Sequence, residues 1–437
     1  MNKLFKTHKR MKTNDWKFST LALIACFGLS TTFTACSDDD DPVVPGPGTD
    51  PQPEVESEIV LEDGATLNGT IANGKTVVLK QGRQFRLNGE YIVEEGGLLK
   101  IEPGVKVTAV TDDTPDYFLV KQGGKMEAIG TAEQPIVMTA EEGEDWGGIH
   151  LCGRAHTNKN GALSEIGNAP YGGNQEDDNS GTLQYVRLEY TGFALDPEHE
   201  SNGISLYGVG SGTTLDHICI YKGKDDGIEF FGGSANVKYA VVIDAEDDSF
   251  DWTEGWNGKA QFLVASQLGT SGAKDQGDCL MECDNNGDNF VAAPVAHPIL
   301  SNLTLIGNNS AEGKRGIRLR AGTEVEIYNT LVAGKPQCVT VETKETETAL
   351  SEGRSKLQYI TCTGAFNSKE NIFTADAFTA ADNHNQVNNA LNFTDTFVGT
   401  LPSAFNPQTL GDFFENAPYQ GAVSADNNWA QGAWMRI

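Results

Sequence analysis

The chain has 437 residues, of which 61 are acidic and 32 are basic, so its formal net charge at pH 7 is −29. A surface this acidic excludes binding to nucleic acid or to anionic lipid through basic patches, and it favours cations or cationic ligands. The 49 glycines and the scarcity of helix-like apolar periodicity indicate a β-rich chain.

The N-terminus has the layout of a secretory signal peptide. A basic segment precedes an apolar run over residues 18–29, which is too short to span a bilayer. Small residues then lead to Cys36, as a lipoprotein signal peptidase requires. We therefore predict a signal peptide over residues 1–35 and a lipidated N-terminus at Cys36, with Cys26 as the alternative. A diacylglycerol and an amide-linked acyl chain on Cys36 would give stable two-chain anchoring in the outer membrane.

Ser37 and four aspartates, Asp38–Asp41, follow directly after the predicted lipidated cysteine. This run resembles the export tag of surface lipoproteins in the Bacteroidetes, which implies the outer face of the outer membrane. The alternative is an acidic spacer that stays solvated. Pro, Gly, Asp and Glu without periodicity continue the segment, so residues 36–57 are predicted to form a stalk that reaches about 60 Å.

Six cysteines remain after the stalk. An exported protein can form disulfides, but the spacing of these residues does not identify a metal finger. Two of them, Cys279 and Cys283, lie too far apart to pair on one straight strand. We expect buried free thiols, and the sequence leaves any pairing open. The six residues are Cys152, Cys219, Cys279, Cys283, Cys338 and Cys362.

Residues 58–437 carry a repeat with a period in the low twenties. Each unit joins a short in-out-in strand to a longer strand, with Gly, Asn and Asp at the corners. Such a unit cannot bury its apolar face alone, but stacked units bury it continuously. The sequence therefore predicts an all-β domain, a right-handed parallel β-helix. The predicted strand pairs are 148–151 with 183–188, 203–206 with 214–220, 227–230 with 236–242, 249–252 with 259–265, and 316–319 with 325–332.

The two ends of the repeat region fit the same architecture. Residues 91–107 and 118–129 alternate apolar and polar residues between Gly-Gly and Pro-Gly turns, so they are predicted to form the first coils. Aromatic residues in 413–422, together with Trp429 and Trp434, follow the point where the repeat stops. We predict that they cap the last coil.

Four segments are similar to a widespread family of exported β-helix proteins of Bacteroidetes and some Proteobacteria. The segments are Trp146–Ile149, Tyr171–Gly181, Val209–His217 and Asp225–Gly233. The resemblance covers about residues 60–437 and implies the fold and an exported location. It implies no activity, so function has to be inferred from the residues themselves.

Outward side chains at equivalent positions of a β-helix form columns with a spacing of about 4.8 Å. One predicted column places three adjacent carboxylates, Glu229, Asp251 and Glu282, where they repel each other unless a cation binds between them. Dense oxygen ligands of this kind predict at least one Ca²⁺. The alternative is that Asp and Asn bind their own backbone at turns. The column contains His150, Ser205, Glu229, Asp251, Glu282 and Arg318, and the preceding turns add Asp225, Asp226, Asp247, Asp248 and Asp278.

Two acidic loops are further candidates for Ca²⁺ ligation. One contains Asp177 and Asp178, and the other contains Asp284 and Asp288 with oxygen ligands at alternate positions. Neither is an EF-hand; in the second loop Val295 stands where the bidentate glutamate would be required.

Aromatic residues are interleaved with these acids. Trp252 is predicted to point inward, whereas Phe231 and Trp256 fall in turns and are candidates for exposed platforms that stack on sugars. The alternative is that each ring belongs to the core. The interleaved rings are Tyr190, Phe193, Tyr207, Phe231, Trp252 and Trp256.

Three functions remain open at this point. The leading hypothesis is a non-catalytic cell-surface lipoprotein that captures a glycan or nutrient along the acidic face, beside an outer-membrane transporter. The second is a Ca²⁺-dependent polysaccharide lyase or a hydrolase, with Glu229, Asp251, Glu282 and Arg318 as candidate catalytic residues. The third is a structural surface protein or adhesin. No nucleic-acid partner is expected.

Overall fold

The computed structural model describes residues 57–110, 115–141, 144–193, 201–270 and 277–437. The predicted signal peptide, Cys36, Asp38–Asp41 and nearly all of the stalk lie outside these residues. The described residues belong to one compact unit, Val55–Ile437. None of the helices in these ranges is long and apolar enough to cross a lipid bilayer.

Twenty-four strands join in one sheet system that winds along the chain, and all of its strand pairings are parallel. The predicted parallel β-helix is confirmed. The first nine strands are β1 Ser57–Val60, β2 Thr66–Ile71, β3 Lys75–Leu79, β4 Gln84–Val93, β5 Leu98–Ile101, β6 Lys106–Ala109, β7 Tyr117–Val120, β8 Lys125–Ile129 and β9 Ile136–Thr139.

From β10 onward, short and long strands alternate. The short strands are β10 Ile149–Cys152, β12 Ile204–Tyr207, β14 Ile228–Phe231, β16 Phe250–Thr253, β18 Met281–Cys283, β20 Arg315–Leu319, β22 Gln337–Val341 and β24 Ala365–Ser368. The long strands are β11 Gly181–Glu189, β13 Thr214–Tyr221, β15 Asn236–Ile243, β17 Lys259–Ser266, β19 Ile299–Ile306, β21 Glu326–Ala333 and β23 Lys356–Cys362. The remaining elements are helices α1 Lys344–Ser351 and α2 Ala375–Phe378, single 3₁₀ turns at Ala381–Asn383 and Pro407–Leu410, and the antiparallel pair β25 Leu401–Pro402 and β26 Tyr419–Gln420.

The short strands stack in order along one face, which we call the short-strand sheet. From β10 to β18, each short strand turns its first and third residues into the continuous apolar core, as Ile228 and Phe230 do in β14. A glycine precedes several of these strands because the coils approach closely there. A Cβ added at Gly227 would lie only 2.4 Å from the carbonyl oxygen of Ser249 in the next coil.

The long strands each bend at one residue in the left-handed conformation, where the register with the next strand skips a position. Each long strand therefore contributes to two faces of the helix. The left-handed backbone costs about 1–2 kcal/mol at a residue with a Cβ. Stacking of the side chains from coil to coil offsets that cost, as in the 4.3 Å ring separation of Tyr185 and His217. This corner column contains Tyr185, His217, Tyr239, Phe262, Asn302, Asn329 and Tyr359.

Residues 401–437, the C-terminal strap, run back along the corner column. Trp429 packs on Tyr239 with ring centroids 5.1 Å apart, and Trp434 packs on His217 at 5.3 Å. A guanidinium nitrogen of Arg187 donates to the carbonyl oxygen of Ala433 at 2.7 Å. The aromatics that the sequence assigns to a cap over the last coil therefore lie along the flank of earlier coils, because the chain reverses after that coil.

A different group of rings closes the last coil. Phe366 on β24 stacks on Phe378 of α2 with a centroid distance of 4.5 Å, and it contacts Phe373 edge-on at 5.9 Å. These rings cover the apolar end of the core.

Candidate functional site

The strand register confirms the predicted column on the outer face of the short-strand sheet. Each member is paired directly with the next one across parallel strands, and its side chain points away from the core. The column runs in the predicted order: His150, Ser205, Glu229, Asp251, Glu282 and Arg318.

The column is not exposed at its first two positions, nor at Glu282. His150 and Ser205 are fully buried because residues 153–180, the insertion loop, fold over this part of the sheet. Tyr171 of that loop packs on Tyr207 with a centroid distance of 5.1 Å, and Tyr207 stacks against His150. Burial lowers the pKa of His150 to about 4, so its imidazole is neutral at pH 7.

Five carboxylates from three consecutive coils form one acidic cluster. Ligand atoms of Asp226, Glu229 and Asp251 lie within 4.8 Å of one another, and so do those of Asp248, Asp251 and Glu282. Asp251 belongs to both groups and therefore joins them. The cluster is largely covered, since Asp226, Asp248 and Glu282 are buried and the other two side chains are half-buried.

The corners beside the cluster hold the remaining predicted acids. Asp225 and Asp247 lie within the same 4.8 Å distance of Asp226, and Asp278 lies within it of Asp248 and the thiol of Cys279. The structure thus brings nine of the predicted acidic candidates into one region: Asp225, Asp226, Glu229, Asp247, Asp248, Asp251, Asp278, Glu282 and, through Arg320, Asp284.

Two arginines neutralise one end of the cluster. Glu282 contacts Arg318 at 2.5 Å and Arg320 at 2.6 Å. Arg318 also contacts Glu342 at 3.2 Å, and Arg320 contacts Asp284 at 2.8 Å. The carboxylates raise the pKa of both guanidinium groups despite their burial. Arg318 is therefore held as a structural counter-ion.

The other four carboxylates of the cluster differ from Glu282. Within the described ranges, none of the ion pairs involves Asp226, Glu229, Asp248 or Asp251. Three of them accept from neutral donors: Glu229 accepts from the amide of Asn202 at 2.6 Å, Asp226 from the backbone N–H of Asp248 at 2.8 Å, and Asp248 from that of Cys279 at 2.5 Å.

Burial raises the pKa of these four carboxyls well above their usual range, and the neighbouring carboxylates raise it further. Both causes act against the charged form. A divalent cation bound among them would reverse the balance, because it replaces mutual repulsion with attraction. Oxygen ligands in this number and at these separations suit Ca²⁺.

The first acidic loop, and Asp288 of the second, lie apart from the cluster. Asp177 is exposed and Asp178 is half-buried in the insertion loop, where Asp178 accepts from the hydroxyl of Ser180 at 3.4 Å. Asp288 is exposed, and its backbone N–H donates to Asn286 at 3.0 Å. These contacts match the turn role of short polar side chains.

The prediction that Phe231 and Trp256 form exposed platforms is wrong. Phe231 is 6 % exposed and stacks on Tyr207 at 4.4 Å. Trp256 is 1 % exposed, stacks on Phe230 at 4.0 Å and donates to the carbonyl oxygen of Ala235. Phe231 ends β14, and Trp256 follows a turn that folds against the coils, so both rings bury apolar surface. Trp252 points inward as predicted.

Several residues near the cluster have no clear signal in the sequence. Arg320 and Asn202 flank the column but belong to turns. Lys335 is buried beside the acidic corner, and its ammonium donates to the carbonyl oxygens of Gly277, Asp278 and Gly313 at 2.6–3.2 Å. Burial lowers its pKa to about 8. Lys335 reaches the acidic corner only because coils that lie more than fifty residues apart in the sequence stack on each other.

The described cysteines are all buried, as predicted. Burial raises the pKa of Cys152 and Cys219 to about 12, and it raises that of Cys279 and Cys283 well above the usual range. These four thiols are therefore protonated at neutral pH and pack as small apolar side chains.

Residues 69–430 match the family of pectate-lyase-like β-helix domains. The match spans most of the chain, so the chain belongs to this family. The parallel β-helix fold fits a domain of this class. The chain matches no curated protein and no solved structure significantly.

Proposed function

We propose that the protein is a non-catalytic carbohydrate-binding lipoprotein of the cell surface, and that the acidic cluster holds Ca²⁺ through which an anionic polysaccharide binds. The observation that supports this proposal most strongly is the set of four largely buried carboxylates that lack a cationic partner in the described ranges. Membership in a family of pectate-lyase-like domains supports a polysaccharide ligand. A cation between the cluster and the ligand would overcome the repulsion between two anionic surfaces.

Binding is favoured over lyase chemistry by the state of the basic residues in the column. A lyase needs a base that is free to abstract a proton from the sugar. Arg318 is occupied by Glu282 and Glu342, and His150 lies under the insertion loop. Neither residue is available to a polymer at the surface.

Hydrolysis is the second candidate. A hydrolase needs one protonated and one ionised carboxyl on either side of the glycosidic bond. Glu229 and Asp251 are adjacent in register, and burial raises the pKa of both. Repulsion between the two carboxyls favours a state in which one keeps its proton while the other ionises, so turnover has to be measured together with binding.

Affinity electrophoresis through gels that contain a uronic-acid polymer tests the proposal. We expect retardation of the protein in Ca²⁺, loss of retardation in chelator, and loss in Asp251→Asn. Asp288→Asn is the matched control because Asp288 is exposed and lies apart from the cluster. Retardation that is independent of Ca²⁺ would contradict the metal-bridged mode. Release of unsaturated sugar, seen by ultraviolet absorbance, or of new reducing ends would show an enzyme.

The proposed capture role also implies a partner at the membrane. An outer-membrane transporter beside the lipid anchor would take up the captured glycan or its fragments. Co-purification of the protein with such a transporter under mild detergent is the corresponding test.

A further inference from the structure

Two thiols meet near the C-terminal end of the β-helix. Cys338 lies on β22, and Cys362 is the last residue of β23. The sulfur of Cys338 lies 3.4 Å from the carbonyl oxygen of Val332, and Val332 is the direct register partner of Cys362. It also lies 4.0 Å from the hydroxyl of Thr363. These contacts place the Cys338 sulfur against the backbone around Cys362, and both side chains lie in the same apolar core.

The surroundings of Cys338 distinguish it from the four thiols beside the acidic cluster and in the earlier coils. The backbone N–H of Gly364 donates to the Cys338 sulfur at 3.1 Å. The hydrogen bond from Cys362, with this amide, lowers the pKa of Cys338 to about 7. A thiolate is the species that attacks a disulfide. Cys338 is thus the one described cysteine whose environment favours the reactive form.

We propose that Cys338 and Cys362 form a disulfide that fastens the last coils of the β-helix together. The inference rests on the proposed export, since disulfides persist in oxidising compartments. The oxidant is the disulfide of a thiol–disulfide oxidoreductase. Cys338 attacks one of its sulfurs to give a mixed disulfide, and Cys362 then displaces the oxidoreductase. The two protein thiols lose two electrons and two protons in total, and the oxidant gains them as two thiols.

The position of the pair allows the exchange. Both side chains are buried in the finished fold, so the oxidant reaches them while the end of the β-helix is open. End coils of a solenoid contact only one neighbour and open at lower cost than central coils. The bond closes a loop that contains α1 and restricts the unfolded chain. It would therefore protect the end of the molecule that opens most readily.

Mass spectrometry of the full-length protein tests the inference. The protein is isolated from cells in the presence of a thiol-blocking maleimide, denatured, and digested with trypsin without reduction. We expect a linked pair of peptides that spans residues 321–344 and 357–369, and its loss after reduction. Cys219 provides the internal control and should carry the maleimide. Complete alkylation of both Cys338 and Cys362 in exported protein would overturn the proposal.

A second experiment separates this inference from the proposed location. The purified, reduced protein is incubated with oxidised glutathione, and the linked peptides are followed with time. We expect them to form in the wild type, with a rise in Tm of several degrees that is absent from the Cys338→Ser/Cys362→Ser variant. Formation here, without linkage in cells, would contradict the location and leave the pairing intact. No linkage in glutathione would overturn the pairing itself.

Discussion

Asp251 joins the two halves of the acidic cluster, and its energetics show what the site requires. It pairs in register with Glu229 on one side and Glu282 on the other. Without a cation, ionisation of Asp251 is opposed by burial and by both neighbours. The apo protein therefore retains protons that the unfolded chain would release, and that difference links stability to pH.

The apo protein should lose stability as pH rises. The pKa of the four unpaired carboxyls is raised by folding, so their contribution is fully present below about pH 4, the unfolded value, and is lost at higher pH. Asp251→Asn removes one of these groups and should flatten the fall in Tm measured in chelator between pH 4 and 8. If the Tm of the variant and that of the wild type fell equally with pH, Asp251 would not have the raised pKa that its burial implies.

Arg318 should act on stability and not on turnover. Arg318→Ala leaves Glu282 with Arg320 alone and removes the 3.2 Å contact to Glu342. Loss of one partner from a largely buried pair costs about 3 kcal/mol. Urea denaturation measures the loss, with the exposed Lys106→Ala as control. An unchanged unfolding free energy would mean that the ion pairs are weak, and lost turnover on a uronic-acid polymer would identify Arg318 as catalytic.

The strands of the repeat could be predicted from the sequence because the residues that define each strand and its turns lie close together in the chain. The strand predicted over 203–206 forms at Ile204–Tyr207, and that predicted over 236–242 forms at Asn236–Ile243. Register follows from stacking, so the order of the acidic column could also be predicted. The burial of the column could not be predicted, because the insertion loop that covers its first positions does not follow the repeat.

The C-terminal strap illustrates the same limit. Its contacts join residues far apart in sequence, as in the bond from Arg187 to Ala433. The aromatic residues marked a change in the repeat, but nothing local showed that the chain turns back along the corner column. Trp256 was misassigned for a related reason, since burial of a turn depends on the coils that it meets. Phe231 ends β14 and packs with residues of the insertion loop, which the repeat does not predict.

Trp434 should be the main anchor of the strap. It is 1 % exposed and contacts Tyr185, His217 and Trp429. Truncation of a buried Trp to Ala costs about 3–5 kcal/mol. We expect Trp434→Ala to lower the unfolding free energy by this amount and to open the strap to limited proteolysis. Phe290→Ala, at a ring that is 38 % exposed, should leave both readouts near wild type; equal effects would show that the strap is not anchored there.

At the scale of the whole molecule, the proposed anchor lies outside the described residues and rests on the sequence. Cys36→Ser removes the thioether on which both acyl chains depend, so we expect the protein to leave the membrane fraction. A Cys36→Ser variant that still fractionates with membranes would show a different anchor.

Deletion of Asp38–Asp41 should keep the protein in the membrane fraction but hide it from external protease. Unchanged surface digestion of the deletion variant would contradict the export-tag interpretation.

The proposed function depends on Ca²⁺ in the acidic cluster, and the melting temperature measures Ca²⁺ binding most directly. Ca²⁺ that binds only the folded form adds about 2.7 kcal/mol at a hundred times its dissociation constant. At neutral pH, Tm should rise by a few degrees with Ca²⁺ and fall in chelator. Glu229→Gln and Asp251→Asn should blunt the rise, whereas Asp288→Asn should keep it. A Tm that is the same in Ca²⁺ and in chelator would contradict Ca²⁺ binding in the acidic cluster.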